Sequence, residues 1–531
     1  MTAPLLRPGY LLLRDAVSTP RSYLTDAALG LGEAAPRALP QDFLIALAST
    51  VVDGGVVVKA LLIGGLWAAG WGAARLAGHV VPDAGAPGGA VAATLAVWNP
   101  YVAERLLQGH WSLLVGYGCL PWVALAVLRL RAGSGSRPPV LCWIAAAGLT
   151  PTGLMLAAVV ALVCAAAPGA GPARRRCAGF VLAAAVAAAL PWLVAPAVSH
   201  ALAGTGPAGV VEFAARAEPG LGTLGTLAGL GGIWNAEAVP ASRGSAFAVV
   251  ATAVLVGVVA AGLPVLLRRR TATGLLVLAA AAVVLPALLA TGPGLAAVEA
   301  LMRAAPGLGV LRDGQKWVAL ALPGYAVAAA AAPVTLRRWV PLPASAAVAC
   351  AALVAVLPDL AWGVGGRVQP VHYPPGWPVA AALINADPRP VAVLPPDVMR
   401  EFAWAGPAPV LDPLPRWVRA EVLATGDLVI GGRTVTGEGA HARAVQQLLL
   451  SGADAATLAA AGVGWVVTET SGASAPVLDL PVAHHDPDIT VYRVGGDAPR
   501  SPYRPLLIAA HLVWLAVLLA GAAGSLVRAR R

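Results

Sequence analysis

The chain is almost without lysine: Lys59 and Lys316 are the two among 36 basic residues, so arginine is its default cation and each lysine stands out. Its five cysteines, Cys119, Cys142, Cys164, Cys177 and Cys350, all lie in or beside apolar runs. With no Cys-x-x-Cys and no His-x-x-x-His spacing, the sequence offers neither a disulfide framework nor a zinc-type ligand set. Charged residues make up only 12% of the chain, which excludes a charge-rich disordered or nucleic-acid-binding class.

What is abundant is apolar sequence. Hydrophobic residues reach 58%, mean hydropathy is +0.75, and apolar runs recur near the ~20 residues needed to cross a bilayer. The positive charge falls in short clusters, at Arg129, Arg131 and Arg137, at Arg174 to Arg176, at Arg268 to Arg270, at Arg337 and Arg338, and at Arg528, Arg530 and Arg531. Such clusters mark cytoplasmic ends. The formal net charge of +10 therefore reads as topology, with no nucleic-acid partner. The expected fold is an all-α polytopic membrane domain of about eleven transmembrane helices with a small extracytoplasmic α/β domain before the last helix.

Expected spans cover 54–78, 86–100, 111–129, 138–150, 152–169, 177–197, 244–267, 272–291, 317–335, 340–362 and 504–527, those at 86 and 138 being short enough for broken or half helices. The chain divides into a first extracytoplasmic loop at 1–51, a multi-span domain at 52–365, a soluble α/β domain at 366–503, and a final helix with a basic cytoplasmic tail at 504–531. Residues 1–51, with Arg7, Arg14, Arg21 and Arg37 against Asp15, Asp26, Glu33 and Asp42, read as an ordered interfacial loop with a short helix near Asp42 to Thr50. Because this loop is placed outside, either a further helix upstream of the first residue or translocation of the segment as a tail is expected, the helix being preferred.

Chemistry is expected first in the turn Trp98-Asn99-Pro100-Tyr101-Val102-Ala103-Glu104-Arg105 with Gly109-His110-Trp111. Unpaired charge at membrane depth costs roughly 2.5 kcal/mol or more per residue, so Glu104, Arg105 and His110 between two spans call for a use. Asn99-Pro100 breaks a helix and frees carbonyls for a pocket. A loop at 198–242 carries Glu212, Arg216, Glu218, Trp234, Asn235 and Glu237. In a later loop, a short amphipathic helix over Leu295 to Ala305 precedes Pro306-Gly307 through Arg312-Asp313-Gly314-Gln315-Lys316-Trp317. Arginine's planar fork and lysine's movable charge suit phosphate oxygens. Two readings stand for this cluster: a grip on phosphate, or an Arg312–Asp313 pair with Lys316 snorkelling. Glu104 and Arg105 have the same duality, as site residues or as a local salt bridge. Trp98, Trp111, Trp122, Trp234 and Trp317 serve either an interfacial belt or stacking on a sugar or prenyl group.

In 366–503 the apolar runs shorten to strand length at Val391–Leu394, Leu428–Ile430 and Gly464–Thr468, with helix-like stretches at Ala440–Leu450 and Ala455–Ala461. The module has no Gly-rich phosphate loop and no nucleophile motif, so an acceptor-binding or assembly role is expected. Asp397, Arg400, Trp404, Arg416 and Trp417 are candidates for a carbohydrate surface or for contacts with the spans. His484-His485-Asp486 reads as a surface loop rather than a metal site.

The order of parts resembles the GT-C superfamily of polyprenyl-phosphate-sugar glycosyltransferases. The segment Pro306-Gly307 to Lys316-Trp317 is similar to the YfhO-like branch and to actinobacterial arabinofuranosyltransferase-like membrane proteins, which the turn Asn99 to Trp111 also resembles. The resemblance implies a plasma-membrane enzyme that takes sugar from a polyprenyl-phosphate donor to an envelope glycan or lipid acceptor at the outer face. It implies no cofactor, although a divalent cation stays open. By position it puts the catalytic carboxylate on Asp15, with Glu104 as alternative base or positioning partner. Donor phosphate is assigned to Arg105, His110, Arg312 and Lys316, and the substrate lining to Asn99, Trp111, Asp313, Gln315 and Trp234. Two other classes remain: a non-catalytic envelope scaffold that binds lipid-linked glycan, and a lipid or glycan transporter. The absence of an internal repeat and of mid-span charge counts against the latter.

Overall fold

A computed structural model of the chain describes every residue except 34–37, 200–208, 397, 431–432, 470–477 and 530–531, so Arg37, Asp397, Arg530 and Arg531 lie outside the described residues. A hairpin of β1 (Leu12–Leu13) and β2 (Ala16–Val17) is followed by α1 (Gln41–Ala48). Helices then run α2 (Gly54–Val80), α3 (Gly85–Val97), α4 (Pro100–Leu107), α5 (Trp111–Ala132), α6 (Arg137–Ala147), α7 (Pro151–Ala165) and α8 (Arg174–Ser199). They continue as α9 (Phe247–Leu266), α10 (Thr273–Leu289), α11 (Gly292–Ala304), α12 (Leu322–Leu336) and α13 (Leu342–Ala355).

Helices fall in all the expected places, but their lengths differ from those of full spans. Six described helices are long and apolar enough to cross a membrane, or up to eight if each of two bent pairs counts as one span. The pairs bend by 91° between α10 and α11 and by 79° after α13. The α3, α6 and α7 helices have 13, 11 and 15 residues. At 1.5 Å per residue they cover only ~16 to 23 Å of a ~30 Å core. Helix starts are set locally: Asp53 Oδ1 accepts the Gly55 and Val56 N–H groups at the head of α2, and Thr150 Oγ1 accepts the Gly153 N–H before α7, with Pro151 at its first position. The core between α2 and α5 is held at backbone contact, since a Cβ on Gly118 would run into the Gly65 carbonyl.

The loops joining α5 to α6, α7 to α8, α9 to α10 and α12 to α13 carry the basic clusters and gather at one end of the bundle. There Arg131 Nε donates to the Ala167 carbonyl at 3.1 Å and Arg269 Nη1 to that of Val80 at 3.2 Å. The opposite end carries the α/β unit. Its five-stranded sheet has β3 (Val391–Leu394) paired parallel to both β4 (Val422–Leu423) and β5 (Trp465–Thr468). Antiparallel β7 (Thr490–Arg493) then adds to β5, and β6 (Val482–His485) to β7. Helices α14 (Gly376–Ala386) and α15 (Ala440–Leu450) flank it before α16 (Arg504–Ala529). Leu428–Ile430 is a strand, as expected, but pairs with Arg433–Val435 outside this sheet. His484 and His485 sit at the end of β6 rather than on a loop, and no group of three metal-ligating side chains occurs among the described residues.

Residues 1–51 do not hang free. Tyr10 and Val371 exchange both backbone hydrogen bonds, and Arg14 donates to Pro409 O while its own carbonyl accepts from Leu411, so the first loop is pinned between bundle and α/β unit. Lys59 helps hold it: its ammonium donates to the carbonyls of Arg7 and Gly9, both at 2.9 Å. Replacement of Lys59 by Met is expected to cost about 1–3 kcal/mol, the range for buried charge-assisted hydrogen bonds. The readout is a lower melting temperature in detergent with faster tryptic cleavage after Arg7; unchanged melting and cleavage would contradict this anchoring.

Candidate functional site

The site is built on the turn between α3 and α5. Asn99 caps α4: its Oδ1 accepts the Val102 N–H at 3.1 Å, and its amide donates to the carbonyls of Leu95 and Ala96 and to Tyr117 Oη. The carbonyls freed by Pro100 are thus used inside the protein. Asn99 has no exposed surface, which corrects the expectation that it lines a substrate pocket.

Arg105 is also fully buried. Its guanidinium grips Asp313 through two bonds of 2.8 and 3.0 Å, donates to Gln315 Oε1, and meets His110 Nδ1 at 2.9 Å. Every one of these partners is a side chain of the chain itself, so Arg105 has no face for a donor phosphate and is reassigned as an internal clamp. Burial opposes the charge on Asp313, but Arg105 and then Lys316 pull its pKa down to about 2. That lies below the ordinary 3.8, so the pair's stabilisation is present above that pH and is lost as the pH falls toward about 2. Asp313 and Gln315 are buried as clamp partners rather than presented to a substrate.

Glu104 lies on the inner side of the same helix. Its Oε1 accepts the Gly232 N–H, and its Oε2 accepts from Ile233 N–H and the Gln315 amide, at 3.0 to 3.1 Å. Burial, with Glu218 adding to it, pushes its pKa up to about 8. Such a value suits a base, but the residue has no exposed surface and an acceptor hydroxyl cannot reach it. Glu104 instead fastens loop 214–246 onto the turn. That loop is closed by the buried Arg243–Glu218 ion pair, which Thr252 Oγ1 joins at 2.9 Å. Arg243 was not among the expected residues, because a single arginine in a Gly- and Pro-rich loop carries no pattern in sequence.

Asp15 has a different setting. Its side chain is 39% exposed, and its Oδ2 meets His110 Nε2 and the Gln108 amide, each at 2.9 Å. No described residue hydrogen-bonds Oδ1. A guanidinium can only donate, so the bond from Arg105 fixes His110 with Nδ1 bare and the proton on Nε2, aimed at Asp15. Burial keeps His110 below the ordinary histidine value despite the pull of Asp15. Burial also works against the Asp15 charge, but the His110 hydrogen bond, Gln108 and Lys316 together hold its carboxyl below the ordinary range. Gln108 in turn accepts from Asn235 at 2.8 Å.

Asp15 is aimed by strain next to it. Arg14 has φ +48°, a left-handed conformation costly for a non-glycine residue. Its buried guanidinium holds it there by donating to the carbonyls of Leu107 and Glu237 and pairing with the Glu237 carboxylate at 3.3 Å. Gly109, at φ +81°, lets the turn lie directly on the hairpin: a Cβ there would strike Ala16 N and Leu13 O.

Of the other cations, Lys316 acts on both Asp15 and Asp313. Lys316 Nζ is 3.7 Å from Asp313, with its side chain 24% exposed. Arg312 does not pair with Asp313; its guanidinium lies 4.9 Å from the Phe213 ring centre, and Trp234 packs edge-on against the same ring. Trp111 is buried and faces a separate cavity beneath the α/β unit. Of the proposed carbohydrate surface, Trp417 is buried with Trp377 and Tyr373 in an aromatic core that Trp404 also joins. Arg400 is internal too, between Glu469 at 2.7 Å and Asp412 at 3.4 Å.

With this geometry in view, the chain is similar over 93% of its length to a cryo-EM structure of arabinofuranosyltransferase AftD from Mycobacteria, at TM-score 0.52 and 17% identity. The likeness is one of fold. The match spans 41% of that longer chain, so this protein corresponds to less than half of it. No family model matches the sequence, and no curated protein matches it.

Replacing Arg105 with Met strands the buried Asp313 carboxylate and is expected to destabilise the protein by about 3–5 kcal/mol, most of which returns when Asp313→Leu is added. Equal melting of wild type and the single variant would disprove the clamp. Gly109→Ala is expected to separate hairpin and turn, seen as loss of the His110 Nε2–H NMR signal at the Asp15 bond; retention of that signal would contradict it.

Proposed function

We propose that the chain is a plasma-membrane glycosyltransferase that moves a sugar from a polyprenyl-phosphate donor to an envelope glycan or lipid acceptor at the outer face, with the basic loops cytoplasmic. The observation that carries this reading is the partly exposed Asp15 carboxylate, held through Oδ2 by His110 and Gln108 while no described residue hydrogen-bonds its Oδ1. The GT-C-like fold supports it, as does the resemblance to YfhO-like and actinobacterial arabinofuranosyltransferase-like proteins.

In this reading the acceptor hydroxyl attacks the anomeric carbon as the bond to the donor phosphate oxygen breaks and the phosphate leaves with the electron pair. Asp15 Oδ1 takes the hydroxyl proton. The developing cationic sugar is stabilised by the same carboxylate, and the leaving phosphate by Lys316 and Arg312, whose fixed charges act where negative charge grows. His110 and Gln108 position Asp15 and need not touch substrate. The reaction inverts the anomeric centre.

A second reading, a non-catalytic binder of lipid-linked glycan, draws on the internal pairing of Arg105 and Glu104. Transfer of radiolabelled sugar from polyprenyl-phosphate donors, in membranes carrying the chain, separates the two. Asp15→Asn is expected to lower transfer by ~10²–10⁴-fold with the protein still folded, as for loss of a general base. An undiminished rate in that variant would remove Asp15 from the chemistry, and no transfer from any donor would favour the binder.

A further inference from the structure

Gln108 stands at the end of α4, where its backbone carbonyl accepts the Asp15 N–H at 3.2 Å and its side chain meets Asp15 Oδ2. That side chain is a primary amide, and it can turn either of two opposite edges to the carboxylate. With the NH2 group forward it donates. Rotated by half a turn, it would set a carbonyl oxygen against an oxygen that has no proton to give. Only the first orientation stabilises the ionised carboxylate. Gln108 is 3% exposed, so the choice between the two edges is made by its protein neighbours.

The neighbour that makes it is Asn235. Its Oδ1 accepts the Glu237 N–H at 3.0 Å, capping the short 3-10 turn Ala236–Ala238, and its Nδ2 donates to Gln108 Oε1 at 2.8 Å. A backbone N–H can only donate, so it fixes which end of the Asn235 amide faces Glu237 and leaves the Asn235 NH2 group for Gln108. Gln108 Oε1 is thereby drawn to Asn235, and the Gln108 NH2 group is left for Asp15. Direction passes from one backbone N–H through two side-chain amides to the carboxylate. The source of the relay is itself fastened. Glu104 holds the loop just before it through the Gly232 and Ile233 N–H groups, and the Glu237 carbonyl accepts from both Arg14 and Arg367.

We propose that Asn235 is a positioning residue for transfer, selecting the amide edge that Gln108 turns to Asp15. The relay from Asn235 and the one from Arg105 through His110 start on different segments and converge on Oδ2, which leaves the lone pairs of Oδ1 for the acceptor proton. The role in transfer rests on the transferase reading, whereas the relay rests on the hydrogen bonds alone. In sequence Asn235 is one polar residue among several in the loop at 198–242, since the bond it makes reaches 127 residues back along the chain.

The test reads the Asp15 carboxyl first and transfer second. In the full chain in nanodiscs, labelled with carboxyl-13C aspartate, the Asp15 NMR signal is assigned by its loss in Asp15→Asn and followed through a pH titration. Asn235→Ala keeps His110, Lys316 and Arg14, the charged neighbours of Asp15, and removes the relay. With Gln108 free to rotate, the Asp15 midpoint is expected to rise by about one pH unit, a roughly tenfold gain in proton affinity. Asn235→Asp still caps Glu237 but cannot donate; it is expected to raise the midpoint at least as far, and it serves if the alanine variant unfolds. In a Gln108→Met background the Asn235→Ala change is expected to leave the midpoint unmoved, because the route through Gln108 is gone. Transfer by Asn235→Ala is expected to fall about tenfold in kcat with KM for donor and acceptor kept. A raised midpoint without transfer from any donor would uphold the relay and remove the transferase reading alone. An unmoved midpoint in the folded single variants, an equal rise in the Gln108→Met background, or loss of transfer with the midpoint unmoved would overturn the proposal.

Discussion

Everything at the mouth of this bundle depends on the Arg105–Asp313 pair. A guanidinium without exposed surface needs its counter-charge in place, and the counter-charge comes from a loop more than two hundred residues later in the chain. The pair therefore staples the turn after α3 to the start of the α12 span. Once Arg105 is fixed, the second N–H of its Nη1 orients His110, and His110 orients Asp15. One buried ion pair thus fixes the tautomer of His110 and, through its hydrogen bond, the direction of the Asp15 carboxylate. Such a pair adds little net stability compared with apolar packing, and its value here is geometric specificity.

The same logic divides the polar residues of the mouth into two layers. Glu104, Asn99, Gln315 and Arg243 face inward, have their hydrogen bonds met by the protein and hold loops together. Asp15, Lys316 and Arg312 face outward with part of their surface open. A strained Arg14 and a left-handed Gly109 sit between the layers, where the first loop must press against the turn.

Much of this was legible in sequence, and the limits have physical causes. The helices are written as apolar runs cut by Gly, Pro and basic clusters, and the strands Val391–Leu394 and Trp465–Thr468 and the helix Ala440–Leu450 as shorter periodic stretches. The turn at Glu104 and the cluster at Lys316 stood out because charge between apolar runs is costly. Sequence could not decide which members face inward, since that depends on long-range pairing: Arg312 beside Asp313 looks like a pair, but Asp313 belongs to Arg105. The segments at 86 and 138 are short helices, as expected, while a full span was over-read at 152–169, where hydropathy continues past Ala165 although the helix stops. Trp404 and Trp417 look like sugar platforms in a list of residues, and only the packing shows the Trp417 ring inside a core with the half-buried Trp404 ring packed against it.

The central claim is that the clamp presents Asp15 to a lipid-linked sugar. The most direct measurement is a cryo-EM structure of the chain in nanodiscs with a non-transferable phosphonate analogue of a polyprenyl-phosphate sugar. The account predicts the sugar's anomeric carbon facing Asp15 Oδ1, the phosphonate between Lys316 and Arg312, and Arg105 still closed on Asp313. A sugar bound away from Asp15, or a phosphonate that opens the Arg105–Asp313 pair to bind Arg105 itself, would contradict it.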